Sequence, residues 1–269
     1  MTQLHDFTEF PHYARLNVRV LVIPGLDGDA SVLKTVAPLL FGGMRVLAFD
    51  HRFDTMDGGV EGLAERALTV LDADPAADAP ALVCGESFGG TVALALARRH
   101  PARVCGLILL SAFGWYPTIF ACLPRLTFSL WRILRLREGW ARRALRVWRP
   151  LTLPAALGWG CSPEVVRAYL HRPAVDVAAY RAKWESALRF DARPWLDAIR
   201  CPTLVLIGTW DPFVPVRAGQ ELARRLPNAR LHRLAGGHLP HIAHPVAAGE
   251  LITNWAATIP TLVAREGLS

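Results

Sequence analysis

The stretch that indicates the fold of this 269-residue chain reads Val83-Cys84-Gly85-Glu86-Ser87-Phe88-Gly89-Gly90. Apolar residues precede it, and a helix-forming run follows it. Gly-x-Ser-x-Gly between a strand and a helix is the pattern of a nucleophile elbow, a sharp turn that strains the serine backbone. We expect glycine at 85 and 89 because side chains there would collide with the neighbouring strand and helix. The Ser87 hydroxyl would then stand above a helix N-terminus whose amides can bind an oxyanion.

Short apolar runs alternate with helical patterns along most of the chain. Six runs are predicted as strands, at residues 18–23, 45–49, 81–85, 105–110, 203–207 and 229–233. Helical patterns occur at residues 31–40, 60–71, 88–99, 217–226 and 245–259. Nearly continuous apolar runs are typical of parallel strands buried on both faces, and a β-α-β-α order is typical of a doubly wound sheet. The sequence therefore predicts an α/β protein with a mostly parallel sheet.

The alternation stops after Ser111 and resumes near Ile199. The intervening residues 113–195 are helical in pattern and contain seven of the nine tryptophans. They carry 14 Lys or Arg and 5 Asp or Glu, an excess larger than the net charge of +7 of the whole chain. The remainder of the chain is therefore slightly acidic. We predict a core formed by residues 1–112 and 196–269, with residues 113–195 inserted as a helical lid.

Cysteine usage and hydropathy exclude several other classes of protein. The five cysteines are widely spaced without a CxxC pair, which favours buried thiols in a reducing compartment over a zinc site or a disulfide framework. The first ten residues lack the basic start and apolar stretch of a signal peptide, so we expect a cytoplasmic protein. Residues 104–123 are uncharged, but their glycines and Pro117 favour a buried strand and a loop over a membrane helix.

A serine hydroxyl becomes an efficient nucleophile only when a base takes its proton and an acid orients that base. The sequence offers both groups after the elbow. Asp211 lies in a loop just past the predicted strand at 203–207, and His238 lies in a Gly-Gly-His loop before the last helix. The chain order Ser…Asp…His is that of α/β-hydrolases.

With these residues the chain resembles a serine hydrolase of the α/β-hydrolase superfamily, of esterase, lipase or thioesterase type, with a helical lid. The resemblance rests on the elbow, on residues 97–104 before the fourth strand, on the acid loop 208–215 and on Gly237-His238. It implies the α/β-hydrolase fold and a catalytic triad of Ser87, His238 and Asp211. The match is specific for fold and triad and carries no information about the substrate.

Two members of this triad have competitors in the sequence. Asp211 has the alternative role of starting an Asp-Pro turn. His241 and His244 follow His238 closely, and the resemblance selects the histidine directly after the glycine as the base. We expect the other two histidines to face the surface or to cap the final helix.

The resemblance also implies an oxyanion hole formed by the backbone N–H groups of Leu26 and Phe88. The loop after the first strand reads Pro24-Gly25-Leu26-Asp27-Gly28-Asp29, with proline where the family often has histidine. We expect Asp27 and Asp29 to turn outward and to cap the helix that starts at Ser31. The usual glycine-rich loop after the second strand is replaced here by Asp50-His51-Arg52-Phe53-Asp54.

Residues 125–149 contain eight arginines and one acid in an amphipathic helical pattern. The simplest interpretation is a solvated basic face over an apolar face that covers the pocket. The alternative is a docking surface for an acidic head group, an acyl group on a carrier protein or an anionic lipid surface. Nucleic acid is not expected, because no nucleic-acid motif accompanies the arginines. Aromatic candidates for the substrate channel are Trp115, Trp131, Trp140 and Trp210.

These features predict a serine hydrolase, with no metal or cofactor, that cleaves a small-molecule carboxylic ester or thioester through an acyl-enzyme. The same triad serves acyltransferases, aminopeptidases, cofactor-free haloperoxidases and C–C hydrolases, and these alternatives stay open. A missing cluster of lid carboxylates argues mildly against an aminopeptidase. Serine at position 87 excludes haloalkane dehalogenases and epoxide hydrolases, which use aspartate there. A non-catalytic ligand-binding protein is the remaining alternative, and the intact triad argues against it.

Overall fold

The computed structural model describes residues 18–76, 79–116, 156–158, 161–173 and 176–263. The described part of the chain forms a six-stranded sheet in which all neighbouring strands are parallel. The strands are β1 (Arg19–Ile23), β2 (Arg45–Ala48), β3 (Ala81–Glu86), β4 (Val104–Leu110), β5 (Thr203–Gly208) and β6 (Ala229–Leu234). All six predicted strands are confirmed, and each differs from its prediction by a single residue at one end.

The order of the strands places two loops at one crevice. The strands lie side by side as β2-β1-β3-β4-β5-β6, so the chain moves outward from β1 to β2 and then returns to the other side of β1. Connections leave the carboxyl ends of β1 and β3 in opposite directions, and ligands usually bind at such a point in an open parallel sheet. Gly25 follows β1 and Ser87 follows β3, so both lie at this crevice.

Helices cover both faces of the sheet. Those in the described residues are α1 (Ser31–Phe41), α2 (Gly59–Asp72), α3 (Phe88–Arg99), α4 (Pro163–Leu170), α5 (Val177–Arg189), α6 (Val216–Arg225), α7 (Pro240–Ala243), α8 (Pro245–Ala256) and α9 (Pro260–Val263). One apolar layer contains α2, α3 and α6, and the other contains α1 and α8. In β1, Leu21 and Ile23 point into the first layer, whereas Val20 and Val22 point into the second. Strands β1 to β5 are thus largely buried, whereas the edge strand β6 is only partly buried, and the predicted α/β class is confirmed.

Residues 113–195 leave the sheet after β4 and return to it before β5. Trp115 and Asp191 form an isolated antiparallel bridge, so the two ends of the segment lie together. Its described part contains α4 and α5. This arrangement agrees with an insertion between two strands, while the division into a core and a lid domain stays a prediction.

The uncharged stretch 104–123 begins with β4, as expected, and not with a membrane helix. Among the residues that the structure describes, no helix is both long enough and apolar enough to cross a membrane. Residues 117–123 lie outside the described ranges, so the loop expected there stays a prediction.

Two glycines determine how β3 turns into α3. A Cβ atom on Gly85 would lie 2.5 Å from the carbonyl oxygen of Gly89. A Cβ atom on Gly89 would lie 2.1 Å from the carbonyl oxygen of Ile23, at the end of β1. Both distances are shorter than any real contact of a Cβ atom, and in both cases the obstacle is backbone. The start of α3 therefore lies directly against the end of β1.

We predict that Gly89→Ala lowers the free energy of unfolding by about 2 kcal/mol or more, because backbone must shift to admit the methyl group. Helix propensity alone predicts the opposite sign, a gain of about 1 kcal/mol for alanine in a helix. Urea unfolding of the wild-type protein and the variant measures the difference. A variant as stable as the wild type would contradict the close contact.

Candidate active site

Ser87 is held in a backbone conformation that few non-glycine residues adopt. Ser87 lies between the end of β3 and the first residue of α3, and it has a φ of 52° and a ψ of −117°. The Ser87 N–H donates to the carbonyl oxygen of Leu110 at 2.8 Å, which ties the turn to the end of β4. Ser87 is buried, and a strained backbone of this kind is a common feature of functional residues.

Hydrogen bonds join the three side chains of the predicted triad. His238 Nδ1 lies 2.7 Å from Asp211 Oδ2, and His238 Nε2 lies 3.0 Å from Ser87 Oγ. Because a carboxylate only accepts hydrogen bonds, Nδ1 is assigned the proton and Nε2 accepts from the serine hydroxyl. The Asp211 side chain is only 2% exposed, so this acid is withdrawn from water. The arrangement has the geometry required of a nucleophile, a base and an orienting acid.

Asp211 combines the triad position with the turn role that competed with it. Its Oδ1 accepts from the amides of Phe213 and Val214 at 2.8 and 2.9 Å, while Oδ2 faces His238. The two interpretations of this residue are therefore compatible. The turn fixes the carboxylate, and the fixed carboxylate orients the imidazole.

The His238 loop packs tightly on the end of β5. A Cβ atom on Gly208 would lie 1.8 Å from the carbonyl oxygen of Gly237, so the two backbones are in direct contact. The Phe213 ring meets the His238 ring edge to face, with centroids 5.4 Å apart. These contacts confine the imidazole to the side of the crevice where Ser87 lies.

The loop of residues 24–28, called the oxyanion loop below, lies beside Ser87. A turn closed by Gly28 N–H to Gly25 O, at 2.9 Å, places Leu26 at its first corner. A Cβ atom on Gly25 would lie 3.6 Å from Ser87 Cβ. Within the described residues, the amides of Leu26 and Phe88 donate to no protein acceptor. Both amides are thus available to a ligand oxygen, as an oxyanion hole requires.

His51 supports the oxyanion loop, a role that sequence reasoning missed. Its Nε2 lies 3.1 Å from the carbonyl oxygen of Pro24, and its amide donates to the carbonyl oxygen of Gly28 at 3.0 Å. Burial, with a smaller contribution from the charge of Lys183, lowers the pKa of His51 to about 3. The imidazole is therefore neutral in the folded protein. The departure from the family pattern at residues 50–54 was the signal available in the sequence.

The two histidines that competed with His238 have different positions. His241 is completely buried, and its Nε2 lies 3.1 Å from Glu86 Oε2, so the expectation that it faces the surface was wrong. The glutamate inside the elbow supplies the partner that makes burial of this imidazole possible. His244 stands at the N-cap position of α8, as expected, but its side chain makes no capping hydrogen bond.

Asp27 in the oxyanion loop and Asp29 just after it have different partners. Asp29 accepts from Ser31 N at 3.1 Å and from Ser31 Oγ at 2.6 Å, which supports the start of α1 as expected. The expectation that both acids turn outward was wrong. Asp29 is buried, and Asp27 is largely buried and forms an ion pair with Arg172 of the inserted segment. A cation from a distant part of the chain holds this carboxylate inside.

The predicted aromatic residues of the substrate channel are only partly described. Trp131 and Trp140 lie outside the described residues. Trp115 is half-buried beneath the guanidinium of Arg193, whose Cζ lies 5.2 Å from the ring centroid. Trp210 directly precedes Asp211 and is 44% exposed. A role of these side chains in substrate binding stays a prediction.

Comparison with known proteins identifies the family. Residues 17–241 match the family Hydrolase_4, described as serine aminopeptidase S33. The chain belongs to this family. It is also 33% identical over 186 residues to a pimeloyl-(acyl-carrier protein) methyl ester esterase from Aromatoleum aromaticum, covering 65% of this chain and 73% of that protein.

Further matches extend over nearly the whole chain. A putative carbamate hydrolase from Variovorax paradoxus is 29% identical over 89% of this chain and 92% of its own length. A putative non-heme bromoperoxidase from Mycobacterium tuberculosis H37Rv has the same fold, with a TM-score of 0.74, 20% identity and 96% of each chain covered. The chain is thus a hydrolase of the α/β-hydrolase superfamily, and the resemblance found in the sequence is confirmed.

The buried His51 predicts how stability changes with pH. Unfolded His51 takes up a proton below its ordinary pKa of 6.5, whereas the folded side chain does not until about 3. The free energy of unfolding of this α/β-hydrolase should therefore fall between pH 6.5 and 3, by at most about 1.4 kcal/mol per pH unit from this group. His51→Gln keeps a hydrogen-bond donor for the Pro24 carbonyl but does not titrate. The free energy of unfolding of this variant should therefore fall less steeply as the pH is lowered. Urea unfolding at a series of pH values measures this dependence, and an equal dependence on pH in the two proteins would contradict a buried neutral imidazole.

Proposed function

We propose that this α/β-hydrolase cleaves a carboxylic ester or thioester, with Ser87 as the nucleophile, His238 as the base and Asp211 as the orienting acid. The observation that carries the proposal is the continuous line of hydrogen bonds from Ser87 Oγ through His238 to Asp211. A methyl ester esterase and a putative carbamate hydrolase among its relatives support the reaction class, because both names describe attack at an acyl carbon.

The proposed reaction has two halves. Ser87 Oγ attacks the carbonyl carbon while its proton passes to His238 Nε2, and the amides of Leu26 and Phe88 bind the resulting oxyanion. Collapse of this intermediate breaks the bond to the alcohol or thiol, which leaves with the proton from His238. Water then attacks the acyl-Ser87 ester with His238 again as the base, and the carboxylic acid departs as the hydroxyl is restored. Asp211 stabilises the imidazolium in both halves.

Alternative reactions would use the same catalytic residues on a different substrate. The family description names an aminopeptidase, so amide substrates are the second candidate. A panel of p-nitrophenyl esters, acyl thioesters and aminoacyl p-nitroanilides separates these classes by kcat/KM. Added alcohol acceptors reveal acyl transfer, peroxide with bromide reveals haloperoxidase activity, and a vinylogous diketone reveals C–C bond cleavage.

The prediction of an acidic head group or a carrier on the substrate depends on residues that the structure does not describe. The arginine-rich residues 125–149 lie outside the described ranges. We retain a small acyl substrate, with an acidic head group or a carrier as a further possibility for the panel to test. A lid formed by residues 113–195 and a cytoplasmic location also stay predictions.

We predict that Ser87→Ala lowers turnover of a short p-nitrophenyl ester by a factor of about 10⁴ or more and abolishes labelling by a fluorophosphonate probe. Ser111→Ala is the matched control, because Ser111 is also a buried serine with positive φ at a strand end. It should keep both activities. Labelling that persists in Ser87→Ala, or ligand binding by a wild-type protein that is never labelled, would overturn the proposed function.

Substitutions of His238 and His241 should have different effects on turnover and on stability. His238→Ala should lower turnover by a factor of about 10⁴ or more with little change in stability. His241→Ala should lower turnover by about tenfold at most, because it removes only a hydrogen bond to Glu86, yet it should cost about 2 kcal/mol of stability. Initial rates and urea unfolding of both variants provide the measurement. If His241→Ala is the inactivating change, the base is assigned to the wrong histidine.

A further inference from the structure

Two largely buried carboxylates flank the candidate oxyanion hole. Asp27 directly follows Leu26 in the oxyanion loop, and its side chain is 17% exposed. Glu86 directly precedes Ser87, is 16% exposed, and its Oε1 would lie 3.2 Å from a Cβ atom on Gly25. The proposed reaction generates negative charge at this place. Without a nearby positive charge, these carboxylates would repel the oxyanion that the amides of Leu26 and Phe88 are proposed to bind.

Arg172 reaches the acidic pair from the loop after α4. Its Nη1 donates to Asp27 Oδ2, and its Nε donates to the carbonyl oxygen of Tyr169 at 3.3 Å. Its Cζ lies 4.1 Å from the centroid of the Tyr169 ring. The guanidinium is thereby fixed by an ion pair, a second hydrogen bond and a stacking contact. In the ion pairs of the described residues, it is the only Lys or Arg paired with either acid.

The charge of Arg172 acts on both acids. Burial raises the pKa of Asp27, the charges of Glu86 and Asp29 add to the rise, and the charge of Arg172 is the largest influence against it. Burial also acts to raise the pKa of Glu86. In that case the hydrogen bond and charge of His241, with smaller contributions from the charges of His238 and Arg172, outweigh burial and lower the pKa of Glu86. Asp27 and Glu86 therefore lie within electrostatic range of each other and of the guanidinium.

We propose that Arg172 is a positioning residue of the reaction, which fixes the Leu26–Asp27 turn and neutralises the carboxylates of Asp27 and Glu86 beside the developing oxyanion. The inference rests on the proposed function, since it needs an oxyanion at Leu26 and Phe88. It assigns to the inserted segment a direct part in stabilising the transition state. Removal of the guanidinium would then affect the chemical step more than substrate binding.

The test compares kcat and KM for a short neutral p-nitrophenyl ester in the full-length protein. Arg172→Met should lower kcat by about tenfold to a hundredfold with little change in KM, because the two carboxylates lose their counter-charge. Arg172→Lys keeps the charge and should retain most of the activity. Asp27→Asn combined with Arg172→Met removes one acid together with the cation. The double variant should recover kcat to within about fivefold of wild type, a rescue that a purely structural role does not produce.

Arg181→Met is the matched control, because Arg181 forms a more exposed ion pair with Glu185 in the same segment. Thermal unfolding of each variant verifies that it is folded. If folded Arg172→Met behaves as Arg181→Met does, or if its loss is not recovered in the double variant, the proposal is overturned while the proposed function stands. The rate of fluorophosphonate labelling at Ser87 is a second readout that needs no ester turnover. A wild-type protein with neither turnover nor labelling would overturn both proposals.

Discussion

The contact between Gly89 and the carbonyl oxygen of Ile23 leaves no room for a side chain between α3 and the end of β1. This approach brings the N-terminus of α3, with its free amides, to the loop that follows β1. The sheet order supplies the crevice, and the glycine lets the start of α3 lie close to the loop that carries Leu26. The positive φ of Ser87 follows from the same turn. Its strain is offset by the hydrogen bond to Leu110 and by the buried packing of β3 and α3.

Three imidazoles of the described residues surround this crevice, and of these only His238 forms a hydrogen bond with Ser87. His238 connects the serine to the acid, whereas His51 and His241 hold backbone and carboxylate. His51 makes two contacts across the oxyanion loop, one through its ring and one through its amide. His241 ties α7, which follows the His238 loop, to the glutamate of the elbow. For His51, whose pKa is lowered by burial, the neutral imidazole suits such a role because it donates a hydrogen bond at little cost in desolvation.

The strands and the meeting of Ser87, His238 and Asp211 were predictable because their signals are local in the sequence. Parallel strands are continuous apolar runs, and loops that follow such strands meet at one edge of the sheet. That rule was enough to place Asp211 and Ser87 together. It failed for His241 and Asp27, since their partners lie 155 and 145 positions away and a polar residue is buried only where its partner is brought to it. A single sequence does not show which distant charges meet, so both residues were expected at the surface.

Contacts of buried cations explain part of the charge difference between residues 113–195 and the rest of the chain. Residues 113–195 are strongly basic and the rest is slightly acidic, a split that by itself suggests a solvated surface or a docking surface for an acidic partner. Two cations of the segment instead point into the protein. Arg172 pairs with Asp27, while the fully buried Lys183 donates to the carbonyl oxygen of Arg52 at 3.3 Å and has its pKa lowered by burial to about 8. Because buried charges are poorly screened by salt, the attraction between Arg172 and Asp27 should persist at salt concentrations that weaken surface ion pairs.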